Sequence, residues 1–405
     1  MGPSAKNWNE FSHRKRAQLA TKITLEARGT IQTEDAPSKV KLIAFYLPQY
    51  HPIPENDEWW GKGFTEWTNV TRAKPWFRGH YQPHLPADLG FYDLRLPETR
   101  EAQANLAKQY GIHGFCYYHY WFHGRRLLER PFDEVLASGR PDFPFCLCWA
   151  NETWTRKWDG ADGKILVRQT YSHQDDLKHI RWLLNAFEDR RYIRIEGKPM
   201  LLVYRVGDLP NASQTAETWR LEARRAGIGD IFLCAVHGNC NGSRIDPTLV
   251  GFDAAVEFQP SLFRPRRFLR KVWDRLLRGT SNNRFWEYSD IAEMALQARD
   301  PCYRWFRCVT PSWDNTARKD TKALILTGAS PDRYGRWLEA VIRRSTSLAN
   351  GDKVVFINAW NEWAEGNHLE PCQRWGRAYL EATRAAVDLE VHALEETSRI
   401  ASSAS

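Results

Sequence analysis

Residues 354–370 read VVFINAWNEWAEGNHLE. The apolar run Val354–Ile357 predicts a buried β-strand, and Glu362 and Glu365 follow it among tryptophans. If the chain turns helically after the strand, side chains three residues apart share one face. Two carboxyl groups close to one bond are what hydrolysis of a glycosidic linkage requires. We therefore treat Glu362 and Glu365 as candidate catalytic residues.

Strand and helix signals alternate from about residue 40 to residue 387. The strand-like runs are Val40–Tyr50, Gly114–Phe122, Pro144–Ala150, Met200–Tyr204, Ile231–Val236, Ala254–Phe258, Arg304–Thr310 and Lys353–Ala359. The helix-like stretches are Pro97–Tyr110, Pro131–Ser138, Gln174–Arg190, Gln214–Ala226, Ser289–Ala298, Asp332–Ser347 and Arg377–Val387. Only one turn of helix fits after the fifth run.

This alternation predicts an α/β fold with a parallel sheet covered by helices. Because eight continuous apolar strands favour closure, we predict a (β/α)8 TIM barrel with long βα loops. An open doubly wound sheet is the alternative, but no GxGxxG or GxxxxGK[ST] fingerprint supports it.

We divide the chain into a basic N-terminal extension (1–38), the barrel (39–390) and a C-terminal tail (391–405). In residues Arg266–Arg278 the apolar and basic side chains fall on opposite halves of a helical wheel. This pattern predicts a basic amphipathic helical insertion after strand 6. Such a helix is typical of contact with a membrane surface or a lipid-linked glycan. The alternative is a lid that packs its apolar face on the barrel.

Composition limits the class of protein. Of the 405 residues, 42% are hydrophobic, yet no apolar run reaches the length of a membrane span. The polar, basic N-terminus lacks a signal-peptide core, and the eight cysteines form no CxxC pair. We therefore expect reduced thiols and a cytoplasmic location, with peripheral contact at the inner membrane as an extension of this expectation.

The charge and metal-ligand patterns exclude other classes. The net charge of +8 is dispersed and no nucleic-acid module is present, so we expect no nucleic-acid partner. No HExxH motif and no zinc-type His/Cys cluster occurs, so we expect no metal and no cofactor.

The 19 tryptophans, many beside polar residues, are typical of a saccharide site, because indole offers an apolar face and one polar edge. In a barrel, function gathers at the C-terminal ends of the strands. Polar and aromatic residues there and in the adjoining loops are our substrate-binding candidates: Tyr46, Gln49, His51, Trp60, Glu66, Trp67, Tyr118, His119, Trp149, Asn151, Glu152, Tyr204, His237, Glu257, Gln259, Trp313, Asp314, Trp360, Asn361 and Trp363.

Two segments carry a family resemblance. Residues 45–57 (FYLPQYHPIPEND) and 59–70 (WWGKGFTEWTNV) resemble the WbsX group, and this resemblance extends over about residues 40–385. These bacterial proteins are linked to O-antigen and other surface polysaccharides and have long been labelled glycosyltransferases. Residues 361–366 (NEWAEG) are similar to the catalytic motif of glycoside hydrolase family 99, endo-α-mannosidases on a (β/α)8 barrel. Ala364 stands where that family usually has histidine, so contacts of that histidine are not carried over.

The second resemblance implies a retaining mechanism through a 1,2-anhydro sugar. Glu362 would act as base on the substrate 2-hydroxyl and Glu365 as acid/base. The expected activity is hydrolysis, endo-acting or transglycosylating, of α-linked sugars in a bacterial surface polysaccharide such as O-antigen. One alternative is a glycosyltransferase, although the chain has no Asp-x-Asp motif. Another is a non-catalytic glycan-binding protein.

Overall fold

The computed structural model describes residues 40–156, 164–238, 245–263, 283–319, 322–346 and 352–403. The predicted N-terminal extension and the predicted amphipathic helix at 266–278 lie outside the described residues. Within the described ranges, no helix combines the length and apolarity needed to cross a bilayer.

Eight parallel strands form a closed sheet. They are β1 (Val40–Tyr46), β2 (Gly114–Phe122), β3 (Phe145–Trp149), β4 (Lys198–Val203), β5 (Phe232–His237), β6 (Ala254–Glu257), β7 (Trp305–Val309) and β8 (Lys353–Ile357). Strand β1 pairs with β8 from Val40 opposite Lys353 onward, and with β2 from Ile43 opposite Gly114 onward. Because β1 is bonded on both sides, the sheet has no free edge there, and the predicted TIM barrel is confirmed.

Helices follow most strands. They are α1 (Pro54–Trp60), α2 (Glu66–Arg72), α3 (Pro97–Gln109), α4 (Arg130–Ser138), α5 (His173–Phe187), α6 (Ala212–Arg225), α7 (Tyr288–Gln297), α8 (Pro331–Thr346) and α9 (Ala378–Ser403). Among the described residues between β5 and β6, the helical structure is the 3-10 turn Pro247–Val250, in line with the single turn expected there. Two features differ from the sequence prediction: α1 and α2 lie inside the loop after β1, and α9 continues past Val387.

Short elements decorate the loops. The additional strands are Arg125–Leu127, Trp154–Thr155, Ile165–Val167, Arg194–Ile195, Arg284–Glu287, Leu324–Thr327, Asn361–Glu362 and Asn367–His368, and further 3-10 turns span Val206–Asp208, Asn315–Ala317 and Trp363–Glu365.

Neighbouring residues of a strand face opposite layers of the barrel. The Phe45 ring lies inside, 5.8 Å from the Tyr118 ring and 5.3 Å from the Phe258 ring. The next residue, Tyr46, points outward, and its hydroxyl donates to Oε1 of Gln103 on α3 at 2.7 Å. This alternation decides which of the candidate side chains can reach the interior of the barrel.

Candidate active site

The loop after β8 places both candidate acids on one side. Asn361–Glu362 and Asn367–His368 form a short antiparallel pair, and the 3-10 turn Trp363–Glu365 joins them. Side chains at i and i+3 eclipse each other in a 3-10 helix. The chain thus does turn helically after the strand, which was the condition for a shared face, and Glu362 and Glu365 both reach Arg318.

Asn361 attaches this loop to the end of β1. Its Oδ1 accepts from the Leu47 amide at 2.7 Å, and its Nδ2 donates to the Leu47 carbonyl at 3.0 Å. The Tyr50 hydroxyl donates to the Asn361 carbonyl at 2.6 Å. Asn361 is fully buried, so these bonds are shielded from water. Asn361 thus positions Glu362 and is itself held inside the protein.

Arg318 binds three carboxylates at once. Its Nη2 lies 2.7 Å from Glu362 Oε2, its Nη1 lies 2.7 Å from Glu365 Oε1, and its Nε lies 3.0 Å from Glu66 Oε2. We call these four residues the carboxylate cluster. The Arg318, Glu362 and Glu66 side chains are 7%, 7% and 0% exposed, and Glu365 is 18% exposed. Loops after β1, β7 and β8, which are neighbours in the barrel, therefore converge on one guanidinium.

Burial alters the proton affinity of both candidate acids. It raises the pKa of Glu362 to about 8; Arg318 opposes this rise, and the charges of Glu365 and Glu66 add to it. Burial also raises the pKa of Glu365, against the opposing charges of Arg318 and Lys319. Like charges in one buried site cannot all ionise readily. The cluster therefore retains a proton near neutral pH.

Two phenols face the cluster from β2. Burial raises the pKa of Tyr118 and of Tyr120 well above the ordinary value, and the charge of Glu362 adds to both shifts. Both hydroxyls therefore remain protonated and can act as hydrogen-bond donors near Glu362.

Aromatic side chains support the cluster from behind. The Trp363 ring lies 5.6 Å from the Trp67 ring, which packs on Tyr50 at 4.6 Å. The Trp363 indole N–H donates to Glu370 Oε2 at 2.6 Å, and Glu370 also accepts from the Tyr92 hydroxyl at 2.8 Å. Burial raises the pKa of Glu370 to about 7. Trp67 and Trp363 are thus buried supports of the loop that carries the acids.

A cleft opens beside the cluster. It has a volume of about 570 Å³ and is lined by Arg318 together with Trp60, Phe64 and Trp76. Trp60 is half-buried and lies under the Arg156 guanidinium, 5.2 Å from the ring centroid. The candidates Glu66, Trp60, Glu362 and Glu365 therefore lie at or beside one accessible space.

Five candidates lie instead between the sheet and the helices: Tyr46, His119, Trp149, Glu257 and Trp360. His119 Nε2 lies 3.0 Å from His179 Nε2, and its ring stacks on Trp182 at 4.6 Å. Trp149 donates its indole N–H to the Trp121 carbonyl at 3.1 Å. The two-residue repeat of a strand turns the first four side chains away from the interior, and Trp360, in the loop after β8, packs on Phe115. The structure therefore does not bring these five side chains to the carboxylate cluster.

Glu257 is one half of a buried ion pair. Its Oε1 lies 3.0 Å from Arg307 Nη1 and accepts from the Trp305 indole at 2.9 Å. Glu257 is 1% exposed and Arg307 is 5% exposed. Gln259 is fully buried and donates weakly to Glu257 at 3.4 Å. These contacts tie β6 to β7.

Candidates at β3, β4 and β5 hold strand ends together. Asn151 Oδ1 accepts from the Arg205 amide at 2.7 Å, and Glu152 pairs with the Arg205 guanidinium at 3.0 Å. Tyr204 packs on Phe258 with ring centroids 5.2 Å apart. His237 lies 5.4 Å from the Trp305 ring.

The remaining candidates lie close to the cluster or under the first loop. Asp314 donates its amide N–H to the Glu365 carbonyl at 2.6 Å, and its Oδ2 lies 2.5 Å from His80 Nε2. Its neighbour Trp313 is buried. The Gln49 carbonyl accepts from the Glu66 amide at 3.1 Å. His51 is buried, and burial lowers its pKa to about 4.

Sequence reasoning missed Arg318, Glu370 and His80. No motif flanks Arg318, so nothing in its neighbourhood marks it as a partner of the acids. Glu370 was visible, because it closes the stretch that contains both acids. A buried carboxyl needs hydrogen-bond donors, and Glu370 accepts from Trp363, Tyr92 and Gln103.

The fold and the cluster define a (β/α)8 barrel protein with an acidic site at the C-terminal ends of its strands. Residues 42–383 match the family described as "Glycosyltransferase WbsX". The chain is 47% identical over 347 residues to the "Uncharacterized protein WxcX" of Xanthomonas campestris pv. campestris strain B100. The chain belongs to the WbsX family. The match covers 85% of this chain but 49% of the relative, so the chain spans about half the length of the curated relatives it matches.

Solved structures share the barrel. A "Glycoside hydrolase-like protein" superposes with a TM-score of 0.54 at 14% identity, over 89% of this chain and 97% of that chain. The GH99 endo-alpha-mannosidase from Bacteroides thetaiotaomicron, in complex with Bis-Tris propane, gives a TM-score of 0.51 at 14% identity, over 87% and 98% of the two chains. At this identity the likeness is one of fold.

We predict that the substitution Glu257→Gln lowers the free energy of unfolding. The substitution removes one of the two carboxylates that Arg307 contacts and leaves Asp300 as its ionic partner, so unfolding in urea should show a loss of about 2 kcal/mol. Glu196→Gln is the matched control, because Glu196 pairs with Arg304 at the surface and is 52% exposed. Its loss should stay below about 1 kcal/mol. A Glu257→Gln protein that is as stable as wild type but binds saccharide poorly would instead make Glu257 a substrate ligand.

We predict that Glu362→Gln changes how stability depends on pH. The folded protein keeps a proton on Glu362 up to a pKa of about 8, whereas the ordinary value is 4.5. Protonated Glu362 therefore stabilises the folded protein fully at pH values below its pKa in the unfolded chain. This stabilisation is lost as the pH rises through its pKa in the folded protein. Glutamine cannot ionise. The free energy of unfolding of the variant, relative to that of wild type, should therefore rise by on the order of 1–3 kcal/mol between about pH 5 and about pH 8.

Chemical denaturation at several pH values measures this gain. A constant difference between variant and wild type across the range would show that folding leaves the titration of Glu362 unchanged.

Proposed function

We propose that this protein is a retaining glycoside hydrolase or transglycosylase that acts on α-linked sugars of a bacterial surface polysaccharide such as O-antigen. The observation that carries the proposal is the meeting of Glu362 and Glu365 at Arg318, buried at the C-terminal end of the barrel. Glycosidic cleavage needs two carboxyl groups beside one linkage. The adjoining cleft, lined in part by indole, has room for a saccharide.

The proposed chemistry follows the roles that the family 99 resemblance implies. Glu362 takes the proton of the substrate 2-hydroxyl, whose oxygen attacks the anomeric carbon. The glycosidic bond breaks, and Glu365 gives its proton to the departing oxygen. Glu365 then takes a proton from an acceptor hydroxyl, which opens the 1,2-anhydro ring at the anomeric carbon. Glu362 returns its proton to O2, and two displacements leave the configuration unchanged.

This cycle needs one protonated and one ionised acid. The carboxylate cluster supports that condition, because burial raises the pKa of both Glu362 and Glu365. The pair shares this proton in the free protein, and the carried-over roles put it on Glu365 when cleavage begins. A sugar hydroxyl that replaces part of the Arg318 contact of Glu362 would favour that arrangement, because Glu362 must be ionised to act as the base.

Arg318 supports the cycle without exchanging a proton. A guanidinium remains charged throughout the physiological pH range, so it favours the ionised form of whichever acid has lost its proton. Its fork also holds the two carboxylates in one place. We assign Arg318 as a positioning residue for both acids.

Glycosyl transfer is the second candidate, and the description of the WbsX family favours it. Hydrolysis and transfer to a sugar both begin with the same bond cleavage and differ in the acceptor. A transglycosylase would therefore satisfy both the cluster and the family description. The cytoplasmic location and contact with a membrane or a lipid-linked glycan through residues 266–278 stay predictions from the sequence.

Kinetics of two variants test the assigned roles. An aryl α-glycoside with a good leaving group needs no acid for departure. We expect Glu365→Gln to cleave it in a burst but to lose about 10²–10⁴-fold in rate on an unactivated glycan. Glu362→Gln should lose activity on both substrates, because neither can form the 1,2-anhydro sugar. Rates and product anomers are read by NMR, with the exposed Glu58→Gln as the active control.

Inverted products would contradict the mechanism. Full activity of both variants on the natural glycan would remove the catalytic assignment of the two acids, whereas a wild-type protein that binds the glycan without turnover would favour a glycan-binding protein. The opposite pattern, in which Glu362→Gln is rescued by the aryl substrate, would exchange the two roles.

A further inference from the structure

The cleft beside the carboxylate cluster has a charge pattern that bond cleavage does not require. Its walls include Arg72, Lys74 and Trp76, which follow one another around the end of α2, and none of the described residues that line it is acidic. All three of these side chains are exposed. Its volume of about 570 Å³ lies in the range of small-molecule sites, roughly 300–1,000 Å³.

Neither cation is neutralised by a neighbour that the structure describes. Within residues 40–156, 164–238, 245–263, 283–319, 322–346 and 352–392, no carboxylate pairs with Arg72 or Lys74. Other arginines of the first loops do have such partners, as Arg125 does with Glu55. Two uncompensated positive charges on the wall of one cleft favour an anionic occupant.

The cleft continues into the carboxylate cluster. Thr316 and Arg318 line it, and Arg318 binds Glu66, Glu362 and Glu365. At this end the charge of Arg318 is met by three carboxylates behind the lining, whereas Arg72 and Lys74 have no such partner among the described residues. An anionic group is therefore attracted more strongly to the end formed by Arg72 and Lys74, and this difference favours one direction of entry for an acidic glycan.

Indole surface accompanies the cations. Trp76 is 40% exposed, and Trp60 lines the same cleft. The apolar face of a sugar ring can lie on such a surface while its charged substituent reaches a neighbouring cation. A site for a free inorganic anion would not need this apolar surface.

We propose that Arg72, Lys74 and Trp76 form a subsite for a negatively charged sugar residue, and hence that the substrate is an acidic glycan. The proposal rests on the proposed function for its link to cleavage. The shared chemistry is an oxyanion carried by a sugar. A uronic acid carboxylate and a phosphate ester are its two sources.

Binding to the full chain tests the subsite without turnover. The probes are a uronic acid trisaccharide, its neutral methyl ester and a sugar 1-phosphate with its free sugar, and tryptophan fluorescence or calorimetry reports affinity. We expect the acidic trisaccharide to bind about tenfold more tightly than its ester at low salt, with this preference declining as salt rises. A preference seen only for the sugar phosphate supports the same subsite and identifies phosphate as the source.

Variants locate the effect. Arg72→Gln/Lys74→Gln should abolish the preference for the charged probe, whereas Arg78→Gln, an exposed cation on the same loop outside the lining, should keep it. Trp76→Ala should weaken charged and neutral probes by a similar factor, because stacking does not depend on charge. Equal affinity for each charged probe and its neutral partner, or an unchanged preference in the double variant, would overturn the proposal.

The proposed subsite and the proposed chemistry can be contradicted independently of each other. If Glu362→Gln and Glu365→Gln keep full activity while the double variant loses the charge preference, the proposed chemistry falls and the subsite stands. If the two acids prove essential and no probe shows a charge preference, the subsite falls and the proposed chemistry stands.

Discussion

The site depends on one guanidinium that compensates three buried carboxylates. Removal of a carboxylate from water is costly unless an opposite charge or several donors replace the solvent. Arg318 supplies that charge to Glu66, Glu362 and Glu365 together. One positive charge cannot fully balance three negative ones, so the carboxylate cluster retains a proton. A site that holds one exchangeable proton between two acids is suited to alternate donation and acceptance.

The rest of the barrel makes that arrangement rigid. Asn361 bonds to the backbone of Leu47 at the end of β1, which fixes the residue immediately before Glu362. Glu370 holds the Trp363 indole from behind. Closure of the sheet between β1 and β8 places these two strand ends side by side. The acids are thus held by parts of the chain that are more than 300 residues apart in sequence, as the separation of 314 between Leu47 and Asn361 shows.

The sequence was sufficient for the barrel and for the acid pair, because both leave local signals: apolar runs of strand length, and two carboxylates just beyond the last run. It was insufficient for Arg318, whose role comes from convergence of three loops. Successive side chains of a strand face opposite sides of the sheet, and use of this rule would have improved the list of substrate-binding candidates. Tyr46 and His119 face the helices, while the neighbouring residues Phe45 and Tyr118 face inward. Position at a strand end was therefore too coarse a criterion without the direction of the side chain.

A crystal structure of the Glu365→Gln protein with a bound oligosaccharide tests the central claim most directly. The account predicts a sugar ring at the carboxylate cluster, with its 2-hydroxyl roughly 2.6–3.2 Å from Glu362 and the glycosidic oxygen beside the substituted position 365. A saccharide bound at the opposite end of the barrel, or one that leaves Glu362 in contact with Arg318 alone, would contradict it.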